Sequence, residues 1–128
     1  MSMEAALQTY VEESRELLED MDTALLELES AEPADMGDHL DSLFRAAHTI
    51  KGSAGLFGLD DVVDFAHDLE NVLDQVRERT RTLTDELATT LFKCKDHLGN
   101  LIEEVADGQT EASAPLREQS EVLKAELV

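Results

Sequence analysis

Imidazole is the side chain that ordinarily offers a neutral nucleophile near pH 7, so the four histidines of this chain are the first place to look for chemistry. His48 stands in a setting the others lack: Ala46-Ala47-His48-Thr49-Ile50-Lys51-Gly52-Ser53-Ala54-Gly55-Leu56-Phe57. At about 100° per residue, Leu40, Leu43, Ala47, Ile50, Ala54 and Phe57 form one apolar helical seam. His48 falls roughly 120° from the centre of that seam, on the flank of the helix. Lys51, three residues on, is its neighbour on the same surface. An ammonium there either stabilises the oxygens of a transferring phosphoryl group or is an ordinary solvated lysine.

Gly52, Ser53 and Gly55 are costly in a helix, where glycine loses about 1 kcal/mol against alanine. Two readings fit them. They let another helix pack closely, or they clear the surface beside His48 so that a bulky reactive group can reach the imidazole. Downstream lies His67-Asp68-Leu69-Glu70. Glu70 sits roughly 80° from the centre of its own helix's seam. If the two helices pack antiparallel, its carboxylate reaches one ring nitrogen of His48, fixes the tautomer and leaves the other nitrogen free. The bland reading of Glu70 is a surface glutamate in an acidic helix, and of His67 a boundary residue. His39 and His97 have no comparable neighbourhood and read as surface or boundary residues. Cys94 falls on an apolar seam and reads as a small buried hydrophobe.

A metal centre is the rival chemistry. His48, His67, Glu70 and Asp74 are the available ligand types. A carboxylate-bridged pair of irons wants two Glu-x-x-His motifs plus two more glutamates. The nearest match, Asp64-Phe65-Ala66-His67, has no second copy, so no metal is expected.

These residues need helices to carry them, and the periodicity supplies them. One seam, apolar but for Ser14, recurs at steps of three and four in a first helix over about Met3–Ser30 (Leu7, Val11, Ser14, Leu18, Met21, Leu25, Leu28). Pro33 and Gly37 interrupt the pattern, and a second helix spans about Asp35–Phe57, with Gly58 as its stop. Asp60 suits the N-cap of a third helix, whose seam is Val62, Ala66, Leu69, Leu73 and Val76 and which fades over Arg77–Thr82. A fourth starts near Thr84, uses Leu87, Leu91, Cys94, Leu98, Leu101 and Val105, and stops at Gly108. A short fifth starts near Ala114 and Pro115, with Leu116, Leu123 and Leu127 as a weak stripe. No strand pattern occurs. The expected fold is all-α: an antiparallel up-down four-helix bundle plus a short fifth helix, in one domain over residues 1–128. The pattern is still running at Leu127-Val128, so the chain reads as a fragment of a longer protein.

Composition narrows the partners. Asp and Glu number 30 against 10 Lys and Arg, a net charge of −20. Nucleic acid and anionic membrane surfaces, which need a basic footprint, are disfavoured. No stretch approaches the ~20 apolar residues of a membrane span, no signal peptide is visible, and the single cysteine makes no internal disulfide. A cytoplasmic location is expected.

Ala47-His48-Thr49-Ile50-Lys51-Gly52-Ser53-Ala54, continued by Gly55-Leu56-Phe57-Gly58-Leu59, resembles the His-x-x-Lys-Gly signature of histidine-phosphotransfer (HPt) domains. More narrowly, it is similar to the N-terminal phosphotransfer domains of CheA-type chemotaxis kinases. Ala66-His67-Asp68-Leu69-Glu70 resembles that family's His-x-x-Glu segment on the next helix. The resemblance implies that His48 is phosphorylated, that Glu70 orients its ring, that Lys51 assists phosphoryl transfer, and that His67 joins the hydrogen-bond network. It implies that Gly52, with Gly55, gives a partner access. ATP and Mg²⁺ would belong to a separate kinase catalytic domain, with Mg²⁺ also used by the acceptor, a CheY-like receiver or a methylesterase carrying a receiver. The chain has no Gly-x-x-x-x-Gly-Lys-Ser/Thr nucleotide loop of its own, so alone it would be a phosphoacceptor and donor, with no ATP site or cofactor. A bundle that only docks partners, with the glycine flank as a groove, is the remaining alternative.

Overall fold

The computed structural model describes residues 2–128, which form five helices. They are α1 (Met3–Glu29), α2 (Met36–Leu56), α3 (Asp60–Arg77), α4 (Asp85–Ala106) and α5 (Ala114–Leu127). No strand occurs among the described residues. α1 packs on α2 and α4, and α3 on the same two, so α1–α4 close into a four-membered bundle; α5 lies against α3 and α4. This is the expected fold, and it adds where the fifth helix docks.

The seams meet in one core. Met21, Leu25, Leu43, Ile50, Phe65, Leu69, Leu73, Leu91, Leu98 and Ile102 are all essentially sealed from solvent. Tyr10, outside the expected seam of α1, is buried as well. Its hydroxyl donates to the Ile50 carbonyl across the α1–α2 interface at 3.1 Å, and burial pushes its pKa up to about 12.

The helix ends show how the connections are set. Ser2 caps α1 by accepting from Ala5 N (3.1 Å), and Thr84 caps α4 by accepting from Leu87 N (3.1 Å). Asp60 does not cap α3 as expected. It is the first helical residue, Leu59 occupies the cap position, and no side chain caps the end. The reason lies in how α2 stops. Gly58 takes a positive φ of 66°, Leu59 N bonds the Ala54 carbonyl (3.1 Å) and Gly58 N that of Gly55 (3.4 Å), which is a Schellman closure. That closure places Leu59 inside the core and hands Asp60 to the first turn of α3, where its charge suits the helix dipole. The same closure ends α4 at Gly108, through Gln109 N to Glu104 O (3.0 Å) and Gly108 N to Val105 O (3.0 Å). It also ends α3 at Arg79, with a φ of 65° in a residue that carries a Cβ, through Thr80 N to Gln75 O (3.0 Å) and Arg79 N to Val76 O (3.1 Å).

α5 is anchored by Leu123 and Leu127, both buried, and by its entry. Ala112 N donates to Asp61 Oδ2 (2.7 Å) and Ser113 N to Glu104 Oε1 (2.8 Å). One expectation is corrected beneath it. His97 is not a surface or boundary residue: it is 2% exposed. Three residues past Cys94 and four before Leu101, it faces the groove that α5 covers, with its ring edge-on to Phe65 at 4.7 Å and Nε2 bonded to Ser120 on α5 at 2.7 Å. His39 is half-buried and pairs with Glu27 at 3.3 Å, and Cys94 is sealed, its thiol pushed up to about 12 by burial.

Candidate functional site

The His48 side chain is 61% exposed on the α2 flank, while that of Glu70, facing it from α3, is only 5% exposed. Between them runs a 2.6 Å contact from His48 Nδ1 to Glu70 Oε1. A carboxylate only accepts, so Nδ1 carries a proton in this contact, and Nε2, on the far side of the ring from Glu70, is the nitrogen left free to react. The short connection Phe57–Leu59 folds α3 back along α2, and that antiparallel return is what brings residues 48 and 70 together.

Lys51 shares this carboxylate. Its ammonium lies 2.5 Å from Glu70 Oε2, an oxygen that is buried and bonded by no other group. The lysine is thus neither free in solvent nor aimed at His48; it neutralises the buried charge one helical turn from the imidazole. A buried carboxylate without such a partner would be strongly destabilising.

Gly52 and Gly55 are exposed, and a Cβ built on either meets nothing within 4 Å. Helix packing therefore does not require glycine at these positions, which sets aside the close-packing reading. Each costs the helix about 1 kcal/mol and leaves bare backbone beside the imidazole. His67 is exposed, one turn before Glu70 on α3, and makes no hydrogen bond to His48 or Glu70. The resemblance placed it in the network; here Lys51 holds the second oxygen of Glu70, the one still open to it.

Asp74, weighed as a metal ligand, instead pairs with Arg77 at 2.6 Å. Among the described residues no group of three or more His, Cys, Asp or Glu converges as a metal site would, and no helix is long and apolar enough to cross a membrane.

Two neighbours of His48 escaped the sequence reading. The Phe44 ring lies nearly parallel to the imidazole, 7° apart in plane with centroids 6.0 Å apart. The Arg77 guanidinium sits 4.2 Å from the centroid of that phenyl ring. Phe44 is four residues before His48, a spacing that brings side chains together on a helix, and this was the available signal for it. Arg77 comes from another helix and carried none.

A helical bundle that presents one exposed, carboxylate-oriented imidazole on a bare flank is the architecture of a histidine carrier. The chain belongs to the Hpt domain family, whose model matches residues 5–108. Its relatives include the chemotaxis protein CheA of Bacillus subtilis, 36% identical over 108 residues, which is 84% of this chain and 16% of that protein. The CheA of Klebsiella aerogenes is 41% identical over 96 residues, 75% of this chain and 14% of that protein. The chain therefore spans about a sixth of the length of these relatives. Among solved structures it is similar to the phosphorylated P1 domain of CheA3 in complex with CheY6 from R. sphaeroides, with a TM-score of 0.85, 30% identity, and coverage of 98% of this chain and 94% of that one. It is also similar to the CheA phosphotransferase domain of Thermotoga maritima, with a TM-score of 0.75, 30% identity, and coverage of 83% and 99%.

Proposed function

We propose that this domain is the phosphocarrier of a CheA-type chemotaxis kinase, working in the cytoplasm as part of a longer chain. A kinase catalytic domain that holds ATP and Mg²⁺ presents the γ-phosphoryl. The Nε2 lone pair of His48 attacks phosphorus, the bond to the bridging oxygen breaks, and ADP leaves. The phosphoimidazole then gives the group to an aspartate of a CheY-like receiver: a carboxylate oxygen attacks phosphorus, the N–P bond breaks, and neutral imidazole returns. Glu70 is the orienting residue, because it holds Nδ1–H and steadies the positive charge that appears on the ring at each step. Lys51 has two tasks. Before transfer it neutralises Glu70, and during transfer its flexible stem lets the ammonium meet phosphoryl oxygens one turn away. Gly52 and Gly55 leave room for both partners. The observation that carries this reading is the 2.6 Å bond between an exposed imidazole and a buried carboxylate.

The test uses radiolabelled ATP and a CheA kinase core lacking its own phosphotransfer domain. The parent chain should take up acid-labile, base-stable label and lose it to a CheY-like receiver with Mg²⁺, while His48→Gln stays unlabelled. Equal labelling of the two chains would place the chemistry elsewhere. Receiver binding without any labelling, across several cognate kinase cores, would reduce the domain to a docking module.

A further inference from the structure

We propose that Phe44 is a positioning residue for His48 and that Arg77 holds Phe44 in that role; this rests on the phosphocarrier reading above. A single hydrogen bond restrains an imidazole as a hinge does. With Nδ1 held by Glu70 at 2.6 Å, the ring remains free to swing about the direction of that bond. Nε2 attacks through a lone pair lying in the ring plane, so the swing moves the lone pair off the line of attack. Reaction rates fall steeply when reacting groups lose alignment. A flat surface parallel to the ring removes the swing, and the phenyl of Phe44, 7° from parallel with its centroid 6.0 Å away, lies within the range of offset aromatic stacking.

Phe44 is itself braced. It is half-buried, packed against the edge of the core, and it takes the Arg77 guanidinium at 4.2 Å from its centroid, a cation–π contact. That guanidinium is fixed in turn by Asp74 on α3 at 2.6 Å and by Asp41 on α2 at 3.3 Å. Along the α2–α3 seam the order is Lys51, Glu70, His48, Phe44, Arg77, with Asp41 and Asp74 closing the far end. The imidazole is thereby held by edge and by face, from both helices. The guanidinium is taken up by Asp41, Asp74 and the Phe44 ring, so its expected action on His48 runs through Phe44.

Phe44→Leu keeps apolar bulk at the core edge and removes the flat face. Phosphorylation by the kinase core should then lose roughly tenfold in kcat, with KM for the domain changed less than twofold. Phe44→Tyr should restore most of the rate. Arg77→Met, which keeps the apolar stem at a half-buried position, should give a smaller fall of the same kind. The accompanying signature is ¹³C relaxation of the His48 ring: its order parameter should drop in Phe44→Leu and Arg77→Met, while ¹⁵N shifts still report Nδ1 as the protonated nitrogen. Unchanged ring order and unchanged kcat in both variants would overturn the proposal. A raised KM at constant kcat would also overturn it, making Phe44 a docking residue. If Phe44→Leu unfolds, Arg77→Met decides. The parent and His48→Gln are labelled alongside, so failure of the phosphocarrier reading shows as an unlabelled parent, while the relaxation arm still tests the positioning on its own.

Discussion

At His48 the two ring nitrogens have been given different work. Nδ1 is tied to a carboxylate sealed between helices, and Nε2 faces solvent. Glu70→Gln keeps the shape but loses the charge that orients the ring and steadies the imidazolium. Phosphoryl uptake by this variant should fall by roughly 10²-fold, measured as the initial labelling rate against the parent. His97 has the opposite character: buried, with Nδ1 unbonded. Burial lowers its pKa below the ordinary 6.5, partly opposed by the nearby Glu104 carboxylate. A neutral group that must lose its packing to take a proton stabilises the fold fully above pH 6.5, and this contribution is lost as pH falls through 6.5 towards the folded value. Urea midpoints of the parent should therefore drop more steeply than those of His97→Gln as pH falls below 6.5. Much of the His48 site was legible in the sequence because its parts are local: residues 48, 51, 52 and 55 share one helix, and Glu70 lies across one short turn. His97 and Arg77 were misread or missed because their partners, Ser120 and Phe44, come from other helices, and no spacing within one helix encodes such a meeting.

Between the helices, three closures of one geometry carry two glycines and one arginine. Gly58 and Gly108 accept a positive φ freely, whereas Arg79 adopts it with a Cβ in the way. A side chain in this region costs roughly 1 kcal/mol. Arg79→Gly should then raise stability by about that amount, and Gly58→Ala should lower it by about as much, each read from the denaturation midpoint at constant m-value. The same contrast explains what the sequence revealed at this scale. The ends of α2 and α4 carry glycine, and their stops were readable. The end of α3 carries arginine, and only a fading polar run marked it. The docking of α5 was hidden for a related reason. Its stripe is thin, and its entry is pinned by Asp61 and Glu104, residues that look like ordinary surface acids until the fold brings them to the backbone of residues 112 and 113.

Across the whole molecule, a net charge of −20 outweighs the surface ion pairs. The bidentate Arg15–Glu103 pair and the Lys124 cluster with Asp64 and Asp68 use basic groups that are few in number, and exposed pairs contribute little. Salt weakens the pairs but weakens the general repulsion more. The melting temperature should rise by a few degrees between low ionic strength and roughly 0.5 M NaCl, and a fall would show that the pairs dominate. The open flank around His48 has a consequence in time. The gap that admits a partner admits water equally, and no side chain stands over Gly52 or Gly55 to cover a group on Nε2. A phosphoryl group there would age at close to the rate of a small phosphoimidazole in bulk solution. The domain would keep no long record of a stimulus, and the duration of a signal would be governed by how quickly acceptors arrive to collect it.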